Sequence, residues 1–389
     1  MTRRSVLPAA AALRFVLILG AVNLFADFTY EGGSSINGPF LGLLGASAAA
    51  IGITAGIGEF LGYSLRVIAG YISDKTEQYW LITFIGYGIN LLAVPALALA
   101  GNWPVAAGLV IAERVGRAIR KPTVEAMLSY TTGSLGRGWV YGINTALDQL
   151  GATLGPLVMA LVLALHGGYR TGYALLLVSA LLALATLALA RRMFPHPAHL
   201  AAGPTTTTVT GFTAAYWLYM AAGACVAAGL VSFELIAYHF SRGTTVPPEW
   251  IPLLFAVAMG TDALASLIFG RLFDRIGLPV VLAAVALSAL FAPCVFFGTF
   301  AVALLGIILW GIGFGAQDTL LKAIVAGLIP QGRRTTAFGL FYTGYGAGWL
   351  VGGVATGLLY QRSLTALAAF SVAAQLASLP LFAAAHQQE

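Results

Sequence analysis

Charged side chains are scarce in this sequence of 389 residues. Asp, Glu, Lys and Arg make up 9% of it, whereas a typical soluble domain contains about 25%. Hydrophobic residues make up 59%, and the mean hydropathy is +0.88. So few charges cannot cover a water-facing surface, which excludes a soluble globular protein. Apolar runs of about twenty residues recur instead, and each is long enough as a helix to cross about 30 Å of hydrocarbon.

Cysteine is nearly absent too, and no grouping of residues carries covalent or metal chemistry. Cys225 and Cys294 lie inside apolar runs, so there is neither a disulfide framework nor a CxxC motif. No His and Cys ligand set and no nucleophile beside a base occurs at a useful spacing. We expect no metal, no cofactor and no enzymatic activity. The sequence pI is about 9.4, but the basic residues lie at the ends of apolar runs without interleaved aromatics, which argues against nucleic-acid binding.

The apolar runs predict an all-α integral membrane protein with twelve spans. Gly, Pro and charged residues separate the runs, and the continuous Val, Ile and Leu stretches differ from the short alternating strands of a membrane barrel. The predicted spans are 10–34, 46–72, 79–100, 104–122, 138–165, 171–190, 212–240, 250–270, 278–298, 301–325, 336–360 and 364–384. The polar stretch 191–211 is the predicted linker between a first bundle, 1–190, and a second bundle, 212–389.

An even number of spans puts both termini on one side of the membrane. Most Arg and Lys residues outside the spans fall on that side, among them Lys75, Arg191 and Arg275. Those that flank the other side are Arg170, Arg242 and Arg362. The positive-inside rule therefore predicts cytoplasmic termini and a cytoplasmic linker, as in a bacterial inner-membrane protein. We expect a monomer surrounded by the lipid bilayer.

The two predicted bundles also repeat in sequence. Residues of the first bundle meet identical residues of the second at a constant offset of 197: Gly116, Ala126, Gly142, Gly151 and Gly155 correspond to Gly313, Ala323, Gly339, Gly348 and Gly352. Two further pairs share an offset of 200: Gly70 with Gly270, and Asp74 with Asp274. The repeat predicts two pseudo-symmetric six-helix bundles.

The loops after spans 2 and 8 carry the same short motif. It reads Gly70-Tyr-Ile-Ser-Asp74-Lys75 after span 2 and Gly270-Arg-Leu-Phe-Asp274-Arg275 after span 8. Together with twelve spans and a central linker, these residues resemble the major facilitator superfamily over essentially the whole chain. The resemblance implies two halves that rock around a midplane substrate site, with the two loops as conformational latches. Depth along span 4 suggests Arg117 and Arg120 as partners of the first latch; a solvated surface Asp is the alternative.

Span 5 contains Gly151-Ala-Thr-Leu-Gly155-Pro156, which resembles the Gly-xxx-Gly-Pro signature of the family's antiporters. We group these three residues with the latches, and the resemblance favours export over uptake. Small residues four positions apart also let two helices pack closely. Ordinary helix packing is therefore an equally good interpretation.

Ionisable residues occur inside several spans, where an ionised side chain costs at least about 2.5–3.5 kcal/mol without a partner, water or a neutral form. Spans 3, 6, 9 and 12 have none in their interiors, and these are the outermost helices in the family that the chain resembles. The candidate proton-coupling residues lie on the other spans: Asp27, Glu31, Glu59, Glu113, Arg114, Asp148, Glu234, Asp262 and Asp318.

Asp27 and Glu31 are our first choice for proton coupling. They are four residues apart and share one helix face, and two carboxylates so close in a low dielectric suit a group that exchanges a proton. The structural alternative pairs them with Arg114, which resembles a buried basic residue of the family's antiporters, or puts Glu31 at a watery helix end. Asp318 and Lys322, four apart on span 10, most simply neutralise each other.

Aromatic residues on the same spans suit a lipophilic or cationic substrate if they face a cavity. At helical spacing, however, aromatic residues more often serve core packing. The candidate substrate-binding residues are Phe25, Tyr30, Arg66, Trp310, Phe314, Tyr342 and Tyr345.

We therefore predict a secondary active transporter that exchanges protons for a small lipophilic or cationic organic molecule, in the direction of efflux. A second hypothesis is an organic-anion uniporter, symporter or exchanger that uses Arg66, Arg114 and Arg117. It requires unpaired guanidiniums in an open cavity. A third hypothesis is a transporter-like sensor without flux.

Overall fold

The computed structural model describes residues 6–135, 137–196, 213–316 and 334–388, and within these ranges the regular structure is helical throughout. Twelve spans are present, as predicted. Spans 1 to 6 are Val6–Leu43, Ala48–Thr76, Tyr79–Ala96, Trp103–Ser129, Arg137–Ala164 and Tyr169–Met193. Span 7 is divided into Ala214–Gly229 and Phe233–Arg242, and span 9 into Leu278–Ser288 and Phe291–Phe297. Spans 8, 10, 11 and 12 are Trp250–Ile276, Phe300–Ala316, Arg334–Arg362 and Leu364–His386. Two short elements, Leu97–Leu99 and Thr132–Leu135, follow spans 3 and 4.

Nine of the described helical segments are long and apolar enough to cross a membrane. Span 10 is described only as far as Ala316, so the rest of its predicted length, with Asp318 and Lys322, lies outside the described residues. Most of the predicted linker is likewise outside them, and span 6 runs through Arg191 and Arg192 to Met193.

Span 1 is longer than the sequence predicts, because its polar end stays helical and turns its side chains inward. The predicted end at residue 34 is wrong: the helix continues to Leu43. Ser35 Oγ donates to the carbonyl of Gly32 at 2.6 Å, and Asn37 Oδ1 accepts from Tyr173 Oη at 2.8 Å. Buried polar groups with partners carry little penalty, so the segment lies inside the first bundle.

Equivalent glycines hold equivalent helices together in the two bundles. A Cβ on Gly151 or Gly155 of span 5 would meet the backbone of span 1, and a Cβ on Gly348 or Gly352 of span 11 would meet the backbone of span 7. Gly116 packs span 4 against the backbone of span 3, and its counterpart Gly313 packs span 10 against the side chain of Ser288 on span 9. The offset of 197 seen in the sequence is therefore matched by repeated helix contacts, and the bundles are pseudo-symmetric.

The spans without interior ionisable residues expose large aliphatic side chains. Span 6 exposes Leu175, Val178 and Leu181, and span 3 exposes Ile85 and other residues of the same kind. Such an apolar exterior fits helices that face lipid.

The two bundles meet along spans 2 and 11 and spans 5 and 8, and through span 1 with the second part of span 7. We call the end of the molecule that carries Leu43 and Arg242, opposite the chain termini, the far end. Glycines allow the helix backbones of the two bundles to approach closely at this end. Gly52 of span 2 faces Gly353 of span 11, and a Cβ on Gly38 of span 1 would meet the backbone of span 7.

Candidate functional site

A small cavity of about 60 Å³ lies between the two bundles. This is room for about two water molecules. The first bundle lines it with Glu31, Ser34, Glu59, Arg114 and Arg117, and the second bundle with Ser232, Phe233, Glu234, Phe255, Met259, Trp310, Phe314 and Trp349. The first bundle thus supplies most of the charges, and the second supplies an aromatic wall.

Arg114 on span 4 is the centre of the charge cluster. Its Nη1 donates to the carbonyl of Ala55 at 2.8 Å, and its Nε lies 3.3 Å from Glu59 Oε1 and 4.0 Å from Glu113 Oε2. Its Nη2 forms a hydrogen-bonded ion pair with Glu234 Oε1 of the second bundle. The side chains of Arg114, Glu113 and Glu234 are all buried. Arg114 is therefore neutralised, and it joins the two halves at the cavity.

Glu234 owes its position to an interruption of span 7 at residues 230–232. Ser232 caps the helix that follows and accepts from Leu235 N at 3.4 Å, so Glu234 lies in the first turn of that helix. The carbonyls freed by the interruption have partners on other spans. Val231 O accepts from Trp310 Nε1 at 2.9 Å, and Gly229 O accepts from Ser371 Oγ at 2.6 Å. A broken helix at membrane depth is tolerated where such partners replace the lost bonds.

Arg117 lies one turn beyond Arg114 and pairs within the first bundle. Its Nε is 3.5 Å from Glu113 Oε1, and its Nη2 is 3.9 Å from Glu59 Oε1. Its guanidinium also lies 4.7 Å from the centroid of the Tyr30 ring. Tyr30, predicted to bind substrate, is thus a buried ring beneath an arginine and does not line the cavity.

Glu31 lines the cavity without a close partner. Its carboxylate forms no ion pair within 4.0 Å and no hydrogen bond with the residues that the structure describes, although Arg117 is near enough to interact with it electrostatically. The structural alternative that puts Glu31 at a watery helix end is wrong, since span 1 continues for three more turns beyond it.

Asp27 faces a separate network inside the first bundle. Its Oδ1 is 3.6 Å from Arg120 Nη2, so the structural alternative that pairs it with Arg114 is wrong. Arg120 also donates to Asn90 Oδ1 and Tyr87 Oη, each at 3.1 Å, and to Asn23 Oδ1 at 3.4 Å. Asp27 and Glu31 are thus close together on one helix but lie in different environments. Asp27 is paired with Arg120, and Glu31 faces the cavity.

Asp148 on span 5 extends this network. Its Oδ2 accepts from Asn144 Nδ2 at 3.0 Å, and Asn144 Oδ1 accepts from Asn23 Nδ2 at 2.8 Å. Its other carboxylate oxygen is buried and has no hydrogen-bond partner among the described residues. At the opposite end, Asn90 Nδ2 donates to Glu113 Oε1 at 2.8 Å. Polar contacts thus connect Asp148 with the charge cluster around Arg114.

The structure gives no support for the two other predicted proton-coupling acids of the second bundle, Asp262 and Asp318. Asp262 on span 8 is buried against Gly315 of span 10 and accepts from Ser266 Oγ at 3.2 Å. It does not line the cavity. Asp318 lies outside the described residues.

The predicted substrate-binding aromatics lie in different parts of the molecule. Trp310 and Phe314 line the cavity with their rings stacked at 5.2 Å. Phe25 packs in the apolar core of the first bundle. Trp349 and Phe233 also line the cavity but are absent from the predicted set. Trp349 belongs to the same aromatic stripe of span 11 as the predicted Tyr342 and Tyr345, whereas the position of Phe233 depends on the interruption of span 7.

Arg66, Tyr342 and Tyr345 form a second cluster where spans 2 and 11 meet, outside the cavity lining. Tyr342 stacks on Tyr63 at 5.7 Å, and Tyr345 meets the same ring edge-on at 5.1 Å. The guanidinium of Arg66 lies 4.6 Å from the Tyr63 centroid, and its Nε donates to the carbonyl of Gly62 at 2.9 Å.

The predicted contact of the first latch is wrong. Asp74 is exposed at the end of span 2, where it accepts from Tyr79 Oη at 3.4 Å, and Arg117 and Arg120 are buried with the partners described above. Gly70 lies against Pro122 of span 4. In the second latch, Gly270 lies near the end of span 8, and the side chain of Asp274 is outside the described residues. Gly151 and Gly155 pack span 5 against span 1, and Pro156 follows them inside the same helix.

The family model of the Major Facilitator Superfamily matches residues 17–353. The chain belongs to this superfamily. An uncharacterized protein of Mycobacterium tuberculosis is 35% identical over 379 residues, which cover 96% of this chain and 93% of the relative. An uncharacterized major facilitator-type transporter of Methanocaldococcus jannaschii is 25% identical over 362 residues, 90% of this chain and 89% of the relative.

Among solved structures, a variant of the nucleoside transporter NupG superposes with a TM-score of 0.76 at 12% identity, and the match covers 95% of this chain and 100% of NupG. At this identity the match shows the fold alone. The superfamily and the fold make the chain a secondary transporter, built from two bundles with the charged cavity between them.

Proposed function

We propose that the protein exports small aromatic or lipophilic organic cations in exchange for protons, with Glu31 as the carboxylate that alternates between the two. The observation that carries this proposal is an excess of negative charge around the cavity. Three carboxylates in the cavity lining, those of Glu31, Glu59 and Glu234, and that of Glu113 beside it surround two guanidiniums, so two of the four carboxylates have no matching cation. A proton or a cationic substrate supplies the missing charge.

Glu31 is the carboxylate best placed for exchange. The other three each form at least one ion pair, whereas Glu31 has none with the described residues and faces the cavity. A group that binds a proton and a cation in turn must be reachable and must not be held by a permanent partner. Glu31 meets both conditions.

The wall opposite the charges suits an aromatic cation. Phe233, Trp310 and Phe314 line it, and the faces of such rings attract cations at close range. Drug-sized ligands occupy pockets of about 300–1,000 Å³, far more than the present cavity. Substrate binding therefore requires the two bundles to move apart around the cavity, as alternating access demands.

The organic-anion hypothesis requires free guanidiniums, and the geometry argues against it. Arg114 and Arg117 each lie within 4.0 Å of two or more carboxylates. Arg66 stacks on tyrosines away from the cavity. An anion would have to displace buried carboxylates from both paired arginines.

A flux measurement tests the proposal and also the hypothesis of a sensor without flux. Purified protein is reconstituted into liposomes that contain DNA, and ethidium entry is followed by the fluorescence rise on DNA binding. We expect an acidic lumen to accelerate ethidium entry through the wild type, because protons leave as ethidium enters. The Glu31→Gln variant should lose this acceleration. Everted bacterial membrane vesicles test the direction, since an exporter fills them with ethidium when their lumen is acidic.

Glu125→Gln is the matched control. Glu125 lies exposed on span 4 outside the cavity, so its neutralisation should leave the acceleration intact. Equal acceleration in the wild type and Glu31→Gln would contradict the role of Glu31. Absence of any pH effect on the wild type would contradict proton coupling.

A further inference from the structure

The two residues of the Arg114–Glu234 ion pair differ in the number of other partners that they have. Arg114 has three further contacts in its own bundle: Ala55 O, Glu59 and Glu113. Glu234 has no other ion-pair partner among the described residues. If the pair separates, the guanidinium keeps acceptors, while the carboxylate is left without a cation. Since an unpaired buried carboxylate is costly, separation is favourable only when another cation replaces Arg114.

The position of Glu234 suits the binding of such a cation. It lines the cavity in the first turn of the second part of span 7, where the positive end of the helix dipole favours a carboxylate. The ring of Phe233 lies 6.0 Å from that of Trp310 and 4.4 Å from that of Phe255. A cation at Glu234 would therefore stand beside aromatic rings and across the cavity from Glu31.

The same pair lies beside the contact that closes the far end. Gly38 of span 1 touches the backbone of Glu234 itself, and Gly42 touches the ring of Tyr238 one turn further. Arg114 thus connects the first bundle to the segment of span 7 that packs against span 1. Replacing Arg114 at Glu234 removes a charged link between the halves near this closure.

We infer that Glu234 is the cation-recognition residue of the second bundle, and that Arg114 occupies its carboxylate as an internal stand-in until an aromatic organic cation displaces it. The substrate then releases the far end by the same contact that recognises it. The inference rests on the proposed function for the positive charge of the substrate, but it requires no proton gradient. It makes Arg114 a competitor of the substrate, in contrast to a purely structural ion pair.

Ethidium binding to the purified full-length protein in detergent distinguishes these roles. Binding is followed by quenching of tryptophan fluorescence, because Trp310 and Trp349 line the cavity. We expect Glu234→Gln to weaken binding by at least about tenfold and Arg114→Gln to strengthen it several-fold. A structural ion pair would make both variants bind more weakly, and that result would overturn the inference. Uncharged phenanthridine should bind equally to the wild type and to Glu234→Gln; an equal loss for phenanthridine would also overturn it.

A distance measurement gives a second readout. Spin labels are attached to cysteines at Leu165 and Thr244, exposed far-end positions on the first and second bundle, in a chain whose Cys225 and Cys294 are changed to Ala. We call the separation of these labels, measured by double electron–electron resonance in nanodiscs, the far-end distance. Ethidium should lengthen it in the wild type and leave it unchanged in Glu234→Gln. An equal lengthening in both would overturn the inference.

Arg114→Lys keeps the measurement decisive if Arg114→Gln does not fold. Lysine retains the positive charge beside Glu59 and loses the second guanidinium nitrogen that reaches Glu234, so we expect tighter ethidium binding here too. Unchanged or weaker binding in a folded Arg114→Lys protein would overturn the inference. Failure of the proposed function appears separately, in the Glu31→Gln flux, which can fail while these binding results hold.

Discussion

A single methyl group at the interface between the bundles should open the far end. Gly353 of span 11 packs on span 2, and a Cβ there would lie 2.5 Å from the carbonyl oxygen of Gly52, 2.9 Å from Gly56 Cα and 3.0 Å from Gly56 N. All three neighbours are backbone atoms, so none can turn aside as a side chain would. We expect Gly353→Ala to drive spans 2 and 11 apart.

The magnitude follows from the overlap. Overpacking a close contact costs about 1–3 kcal/mol, and here the cost falls on the conformation whose far end is closed. A change of this size shifts an equilibrium between two conformations by about 5–150-fold. A protein that is mostly closed at the far end should therefore populate the open form to a measurable extent without any substrate.

The far-end distance in nanodiscs is the assay, and Gly88→Ala is the matched control. A Cβ on Gly88 of span 3 meets nothing within 4 Å, so the control makes the same chemical change without a clash. We expect a longer far-end distance in Gly353→Ala alone. Identical distance distributions for the two variants would refute the argument that backbone contact between these glycines closes the far end.

Two further predictions concern thermal stability in detergent. Asp27→Asn should lower the free energy of unfolding by about 3 kcal/mol, because it removes the carboxylate beside the buried guanidinium of Arg120. Glu31→Gln should change the free energy of unfolding by less than about 0.5 kcal/mol. Equal melting temperatures for the two variants would show that the ion pair of Asp27 does not stabilise the fold. Tyr87→Phe should cost about 1–3 kcal/mol, because the buried hydroxyl bonds to Arg120, and exposed Tyr71 supplies the control Tyr71→Phe. Matching melting temperatures for the two tyrosine variants would contradict that assignment.

The number and order of the spans could be predicted because both depend on local composition. The length of each apolar run can be compared with the thickness of the membrane. The repeated glycines indicate helices that pack in the same way in both bundles. The interruption of span 7 could not be predicted. Leu230-Val231-Ser232 reads as part of an apolar run, and the break is stabilised by Trp310 and Ser371, partners that are 79 and 142 residues from the carbonyls they bind.

The residue types of the site could be predicted from the sequence. Which of these residues form ion pairs with each other could be predicted much less well. Helical spacing shows which side chains share a face, as with Glu113 and Arg117. It does not show which helix that face meets. Arg114 and Glu234 are 120 residues apart. In sequence, Arg120 lies as far along span 4 as a partner of the first latch would. Packing turns it instead towards Asp27, because a buried guanidinium requires nearby acceptors.

The distribution of charge between the bundles bears on how substrate binding becomes movement. In the first bundle, Arg114 and Arg117 share Glu59 and Glu113 with each other, so the loss of one contact is absorbed by the rest. In the described part of the second bundle, Glu234 is the one carboxylate that lines the cavity. A change of charge in the cavity can therefore be compensated on the first side but not on the second. The bundle that must respond is the second, and span 7, which carries Glu234 next to its interruption, is the element through which it would do so.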